Sequence, residues 1–283
     1  MDFKKWPEWS PWLIMDPDTE LDYSNDGSKY SWSSQRIGKG EMIRTANTEN
    51  KAIQCDLNFL KPFKSKSKIK LTLEEKDDST KVTWTMDGSL PFFMFFMKKM
   101  MEGFIGMDYE RGLAMLKEFA ESGKVNSKLD FKGIQPHPGF DYIGITKELD
   151  LDRMEEMSHD FETLHHLITD NSIETSHRPF CIYHKYDVVK RKVKYTAGVP
   201  VKTQQTNLPD GIKMGKIPAS NVNTVTHTGS YQYLGNVWNA QQNMMRAKEF
   251  KPKRGFHPWE EYENMPGESP DHELVTHVHF AVR

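Results

Sequence analysis

The chain has 283 residues, 28% of them charged, and a formal net charge of -2. That is enough sequence for two domains with separate cores, and it sets up no overall field to draw nucleic acid or an anionic membrane. Two cysteines, Cys55 and Cys181, exclude a disulfide framework and suit a reducing compartment. No run of about 18 apolar residues marks a membrane span, and the opening MDFKKWPEW lacks a signal-peptide pattern, so a cytoplasmic protein is expected.

In chain order, WPEWSPW sets Trp6, Trp9 and Trp12 three residues apart, with prolines between them, and predicts irregular packed structure. Strands follow. Ile53, Cys55, Leu57 and Phe59 alternate with polar residues, as do Ile69, Leu71 and Leu73, and then Val82, Trp84 and Met86, with Asp77-Asp78-Ser79 as a hairpin turn. Strands with one apolar face predict an antiparallel sheet that something must cover. The cover is read in LPFFMFFMKKMMEGFIGMDYERGLAMLKEFAESG, a helix with an apolar stripe through Met101, Ile105, Tyr109, Leu113, Leu116 and Ala120, ending near Gly123. Lys66, Lys68 and Lys70 alternate with Ile69 and Leu71 and read as a solvated outer face. The polar stretch SGKVNSKLDFKGIQPHPG is expected to be a linker, with the domain boundary near Asn126.

The segments WSPW, DP, GKG, KVTWTMDG and IGMDYERGLAMLK resemble the START-like helix-grip family, also called SRPBCC or polyketide-cyclase-like, over residues 6–122. The resemblance implies a curved antiparallel sheet gripping a long helix, and an apolar cavity to which it and strand parity together assign Trp84, Met86 and Phe104. That family opens with a strand and two short helices before WSPW. This chain starts almost at WSPW, so an absent N-terminal strand is expected, and a longer membrane-anchored form is open.

The second half reads as an internal repeat. GFDYIGITKEL predicts a strand, and Leu151, Met154, Met157, Phe161, Leu164 and Ile168 keep helical spacing; PFCIYHKYDVV and KVKYTAGVPV close the unit as strands. The order returns in NTVTHTGSYQYLGNVWNAQQNMM, FHPWEEYENMP and HELVTHVHFAVR. Two strand-helix-strand-strand modules predict one sheet about a pseudo-twofold axis, with a groove where the modules meet. Where the first copy carries Cys181 and Ile182, the second carries Glu260 and Glu261. Alternation sends Glu260 and Tyr262 to one face, and Trp259 and Glu261 to the other.

HTGSYQYLGNVW, PWEEY and THVHFAV resemble the gyrase-inhibitor-like effector-binding domains, which also lie behind the DNA-binding part of AraC-type and multidrug-sensing regulators. The resemblance covers about residues 127–283. It implies a ligand cleft faced by an acidic residue two positions before a strand tyrosine, here Glu260 and Tyr262. Tyr231 and Trp238 join them as candidate groove residues, with Cys181 and Tyr183 at the equivalent place of the other copy. A buried Glu260 is costly without a partner. A cationic ligand offsets that cost, and aromatic faces add about 0.5 to 2 kcal/mol.

The whole chain therefore reads as α+β: a helix-grip antiparallel-sheet domain, 1–126, and a duplicated effector-binding domain, 127–283. The expected function is binding or sensing of a small molecule, apolar, amphipathic or cationic and aromatic, without a DNA-binding domain in the chain. One alternative is a hydrolase or cyclase of a reactive small molecule using Glu260 as general acid or base; another is a gyrase-inhibitor-like stress factor that binds a protein. No cofactor and no metal are expected. His277 and His279 alternate on one strand and His165-His166 are adjacent, but HExxH and CxxC patterns are missing, as are GxSxG and Gly-rich phosphate loops. Direct nucleic-acid binding is not expected, because no helix-turn-helix precedes the second domain.

Overall fold

The structure is a computed structural model that describes residues 2–89 and 92–283. Leu90 and Pro91, which open the apolar run before the long helix, lie outside the described residues. The chain divides into two compact units, Met1–Val125 and Asn126–Arg283. Both sheets are antiparallel and the protein is of the α+β class.

In the first unit, strands β1 (Glu20–Tyr23), β2 (Lys29–Ser34), β3 (Gly38–Thr48), β4 (Ala52–Lys61), β5 (Ser65–Lys76) and β6 (Ser79–Gly88) pair in sequence order as a meander. The alternation read from the sequence is realised at the middle of the strands, where Cys55, Leu57, Ile69, Leu71 and Trp84 are buried and Lys66, Lys68 and Lys70 are exposed, whereas Ile53, Phe59, Val82 and Met86 are half-buried and Leu73 is exposed. Helix α1 (Lys98–Ser122) follows and ends where Gly123 takes φ 79°, a left-handed cap that a glycine adopts without strain.

The side of α1 that packs tightest is not the stripe expected. Arg111, Gly112 and Met115 are its buried residues, while Ala120 is exposed. The reason is the tryptophan segment. It forms short 3-10 turns at Phe3–Glu8 and Leu13–Met15 rather than irregular chain, and it occupies the space between helix and sheet. A Cβ on Gly112 would lie 3.0 Å from Trp84 Cζ3 and 3.1 Å from Pro11 Cγ. The same turn of helix carries Asp108, which accepts from Trp12 Nε1 at 3.3 Å and pairs with Arg111 at 2.7 Å.

The second unit is an eight-stranded sheet built from β7 (Ser127–His137), β8 (Phe140–Asp150), β9 (Phe180–Asp187), β10 (Lys192–Pro200), β11 (Ile212–Ile217), β12 (Ser220–Gly229), β13 (Trp259–Tyr262) and β14 (Val275–Ala281). Helix α2 (Met157–Asp170) lies between β8 and β9, and α3 (Gly235–Arg246) between β12 and β13. The spatial order is β11-β8-β10-β9-β13-β14-β12-β7. Around the central β9/β13 pair the two modules repeat outward in the same sense, as the duplication requires.

Two strands were not foreseen. The stretch expected to be a linker is β7, and β11 precedes the second module. Leu129 and Phe131 of β7 are half-buried while Lys128, Asp130 and Lys132, which alternate with them, are exposed. An edge strand with a charged outer side reads as polar chain. The leading strands also cross over: β7, before the first module, pairs with β12 of the second, and β11, before the second, pairs with β8 of the first. No helix among the described residues is long and apolar enough to cross a membrane.

Candidate functional site

The centre of the large sheet is the β9/β13 pair, where Cys181 faces Glu260 and Ile182 faces Trp259. Cys181 and Glu260 are equivalent residues of the two modules, so the pseudo-twofold axis passes between them. Glu260 is 1% exposed and Cys181 is fully buried.

The surroundings of Glu260 follow from the same symmetry. Tyr183 and Tyr262, again equivalent, donate their hydroxyls to Glu260 Oε2 at 3.0 and 2.7 Å. From α3, Trp238 Nε1 donates to Oε1. Trp238 packs edge-on against Tyr183 with centroids 5.0 Å apart, and Phe161 of α2 does the same to Tyr262 at 5.8 Å. Tyr231, just before α3, lies 5.8 Å from Tyr262. Each helix thus contributes one aromatic to the carboxylate and its two tyrosines.

Every donor to Glu260 is neutral. Burial pushes its carboxyl above the usual carboxylate range, and the hydrogen bonds from Tyr262, Trp238 and Tyr183 oppose that without overcoming it. The same burial, and the nearby Glu260 charge, push the Cys181 thiol and the Tyr183 and Tyr262 hydroxyls well up. The arrangement holds an acid and no activated nucleophile.

Glu261 lies on the opposite face, as strand parity requires. It accepts from His137 Nε2 at 3.0 Å and Trp259 Nε1 at 2.8 Å, with His279 Nε2 at 3.8 Å. Gly139 donates its backbone N–H to His137 Nδ1 at 3.1 Å, which leaves the imidazole proton on Nε2, aimed at Glu261. Burial alone would raise this carboxyl, but His137, His279 and Trp259 together hold it down to about 2.

Of the residues singled out in sequence, the structure brings Glu260, Tyr262, Tyr231, Trp238, Cys181 and Tyr183 together. It does not gather Trp84, Met86 and Phe104 into one cavity. Trp84 is closed in by Trp6, Trp9 and Trp12, with centroids 5.6 to 5.8 Å away, and Tyr109 stacks on it at 4.3 Å. Phe104 is 44% exposed. Met86 borders an open cleft of about 450 Å³ shared with Thr45, Lys68 and Asp87. Sequence reasoning placed Phe161 in the apolar stripe of its helix but not in the site. Its equivalence to Trp238 across the repeat was the available signal.

A family model described as Cass2, an integron-associated effector binding protein, matches residues 134–276, half of the chain. The chain belongs to the Cass2 family. The matched stretch contains Phe161, Cys181, Tyr183, Trp238, Glu260 and Tyr262. No curated protein matches the sequence. Among solved structures, the chain is similar to EcmrR in its complex with DNA, 14% identical, TM-score 0.48, covering 68% of this chain and 69% of that one. It is likewise similar to the EcmrR C-terminal domain, 16% identical, TM-score 0.46, covering 56% and 98%. A third is SAV2435 bound to tetraphenylphosphonium, 10% identical, TM-score 0.41, covering 54% and 94%.

Proposed function

We propose that the Cass2 unit binds a small aromatic or amphipathic cation as its effector, with Glu260 as the counter-charge. The observation that carries this reading is a carboxylate 1% exposed whose partners are three neutral donors. Three donors to one carboxylate are an arrangement for an anion, yet burial works against the charge. A cation seated among Tyr183, Tyr262, Trp238 and Phe161 would supply the missing compensation and meet the ring faces. Opening of the rim, where Tyr183, Tyr231, Trp238 and Phe161 are each only half-buried, is the route in.

A raised carboxyl is also what a general acid needs, so a hydrolase reading has an observation in its favour. It ranks second because the thiol and hydroxyls beside it are shifted away from nucleophilic forms. The protein-docking reading has less support. The large apolar side chains exposed on the second unit, among the described residues, are Ile134, Tyr186 and Val189, and they do not surround Glu260.

The test is calorimetric titration of tetraphenylphosphonium into the wild type and Glu260→Gln. A binder loses at least tenfold in affinity in the variant, about 1.4 kcal/mol or more. An enzyme keeps affinity and loses turnover. Equal affinity with no turnover in either protein would sink the counter-charge role.

For residues 1–126 the proposal is a START-like helix grip. What supports it is the six-stranded meander followed by one long helix that stacks Tyr109 on Trp84.

A further inference from the structure

Among the described residues, five side-chain polar atoms are buried without a hydrogen-bond partner: Trp84 Nε1, Ser220 Oγ, His227 Nδ1, Thr276 Oγ1 and His279 Nε2. Two of them are neighbours. His227 of β12 and Thr276 of β14 are directly paired in register, and Thr276 is in turn paired with Tyr262 of β13. Both residues are fully buried. Their alternates along the strands, Thr226 and His277, bond each other on the far face. His227 and Thr276 therefore share the face of Glu260 and Tyr262, beneath Tyr231.

The remaining hydrogen bonds sharpen the point. His227 Nε2 is occupied by Ser127 Oγ at 3.0 Å, and Ser127 Oγ accepts from Asn236 Nδ2 at 3.0 Å. Only the Nδ1 edge is left over. Burial holds the ring neutral, with its pKa lowered to about 4. The Tyr231 hydroxyl approaches Thr276 closely enough for a hydrogen-bonding interaction, but the contact falls short of the geometry of a formed hydrogen bond. Buried polar groups are paired in nearly all native structures, and an unpaired one calls for a partner that is not part of the fold.

We propose that the groove has a second anchor, Thr276 with His227, that hydrogen-bonds a hydroxyl or similar oxygen of the ligand. This rests on Glu260 as the counter-charge. Thr276 lies one strand over and one step of two residues along from Glu260, so the Cα atoms of the two anchors are about 8 Å apart. The effector class is then a cation bearing an oxygen about 8 Å from its charge. A hydroxyl suits the pair because it both donates and accepts.

The probes are N,N,N-trimethyltyramine, whose phenol stands at about that distance from the nitrogen, and phenethyltrimethylammonium, which lacks only the hydroxyl. The wild type is expected to bind the phenol at least tenfold more tightly. Thr276→Val should abolish that preference and leave affinity for phenethyltrimethylammonium unchanged, Thr276→Ser should retain it, and Glu260→Gln should weaken both cations. The melting temperature of ligand-free Thr276→Val should equal or exceed that of the wild type, since an unpaired buried hydroxyl is removed. Equal binding of the two cations by the wild type overturns the second anchor and leaves the Glu260 reading intact. A lowered melting temperature with equal binding overturns it as well, because the hydroxyl then serves internal water. If neither cation binds the wild type, the counter-charge reading falls and takes the second anchor with it.

Discussion

Glu260 and Glu261 are adjacent in sequence and shifted in opposite directions. Glu260 sits above its ordinary value of 4.5, so the folded state holds its proton more tightly than the unfolded chain. Its contribution to stability is lost as pH rises from the ordinary value through the folded one. Glu260→Gln should therefore melt above the wild type at pH 7 to 8, with the gap closing near pH 4, while cation affinity is lost. Glu261 is held at about 2 against an ordinary 4.5, and stabilises the fold at neutral pH by an amount that disappears as pH falls from about 4.5 to about 2. Glu261→Gln should cost about 2 kcal/mol in urea denaturation at pH 7 and little near pH 2, with cation affinity unchanged. Parity alone separated these two residues in the sequence. What parity could not supply was His137, which reaches Glu261 from a stretch read as linker, across 124 positions of chain.

At the scale of elements, two of the three glycines of α1 make opposite demands. Gly106 is exposed with nothing within 4 Å of a Cβ, so Gly106→Ala should stabilise the protein by about 0.5 to 1 kcal/mol through helix propensity alone. At Gly112 the same methyl meets Trp84 and Pro11 at 3.0 and 3.1 Å. Overpacking there should outweigh the propensity gain and leave Gly112→Ala about 1 kcal/mol less stable, measured by the same denaturation. Helix α1 was legible in its length and its glycine stop, but not in its packing face. Periodicity reports which side of a helix is apolar; it does not report that three tryptophans from the start of the chain take the place next to it. In the same way Trp84, one of three residues expected to line a cavity, is core because Trp6, Trp9 and Trp12 fill the room beside it.

For the whole molecule, the crossing of β7 and β11 matters more than any single contact. The modules were legible because each repeats a local order of elements. The exchange was not, because pairing between strands roughly 70 to 100 residues apart leaves no mark in local sequence. Each module is flanked by a strand that belongs to the other, so neither is complete when cut out. Residues 126–283 alone should unfold in one cooperative transition and keep cation binding, whereas 126–201 should show no cooperative melt in circular dichroism or calorimetry.

The Cys181–Glu260 pair on the axis has one more consequence. Two identical chains related by a true twofold would set the same residue against itself at that spot: two carboxylates facing each other in the dark, or none. Joining the halves in one polypeptide lifts the restriction. A lone carboxyl group at the middle of a symmetric platform is something a homodimer cannot make, and a tandem gene can.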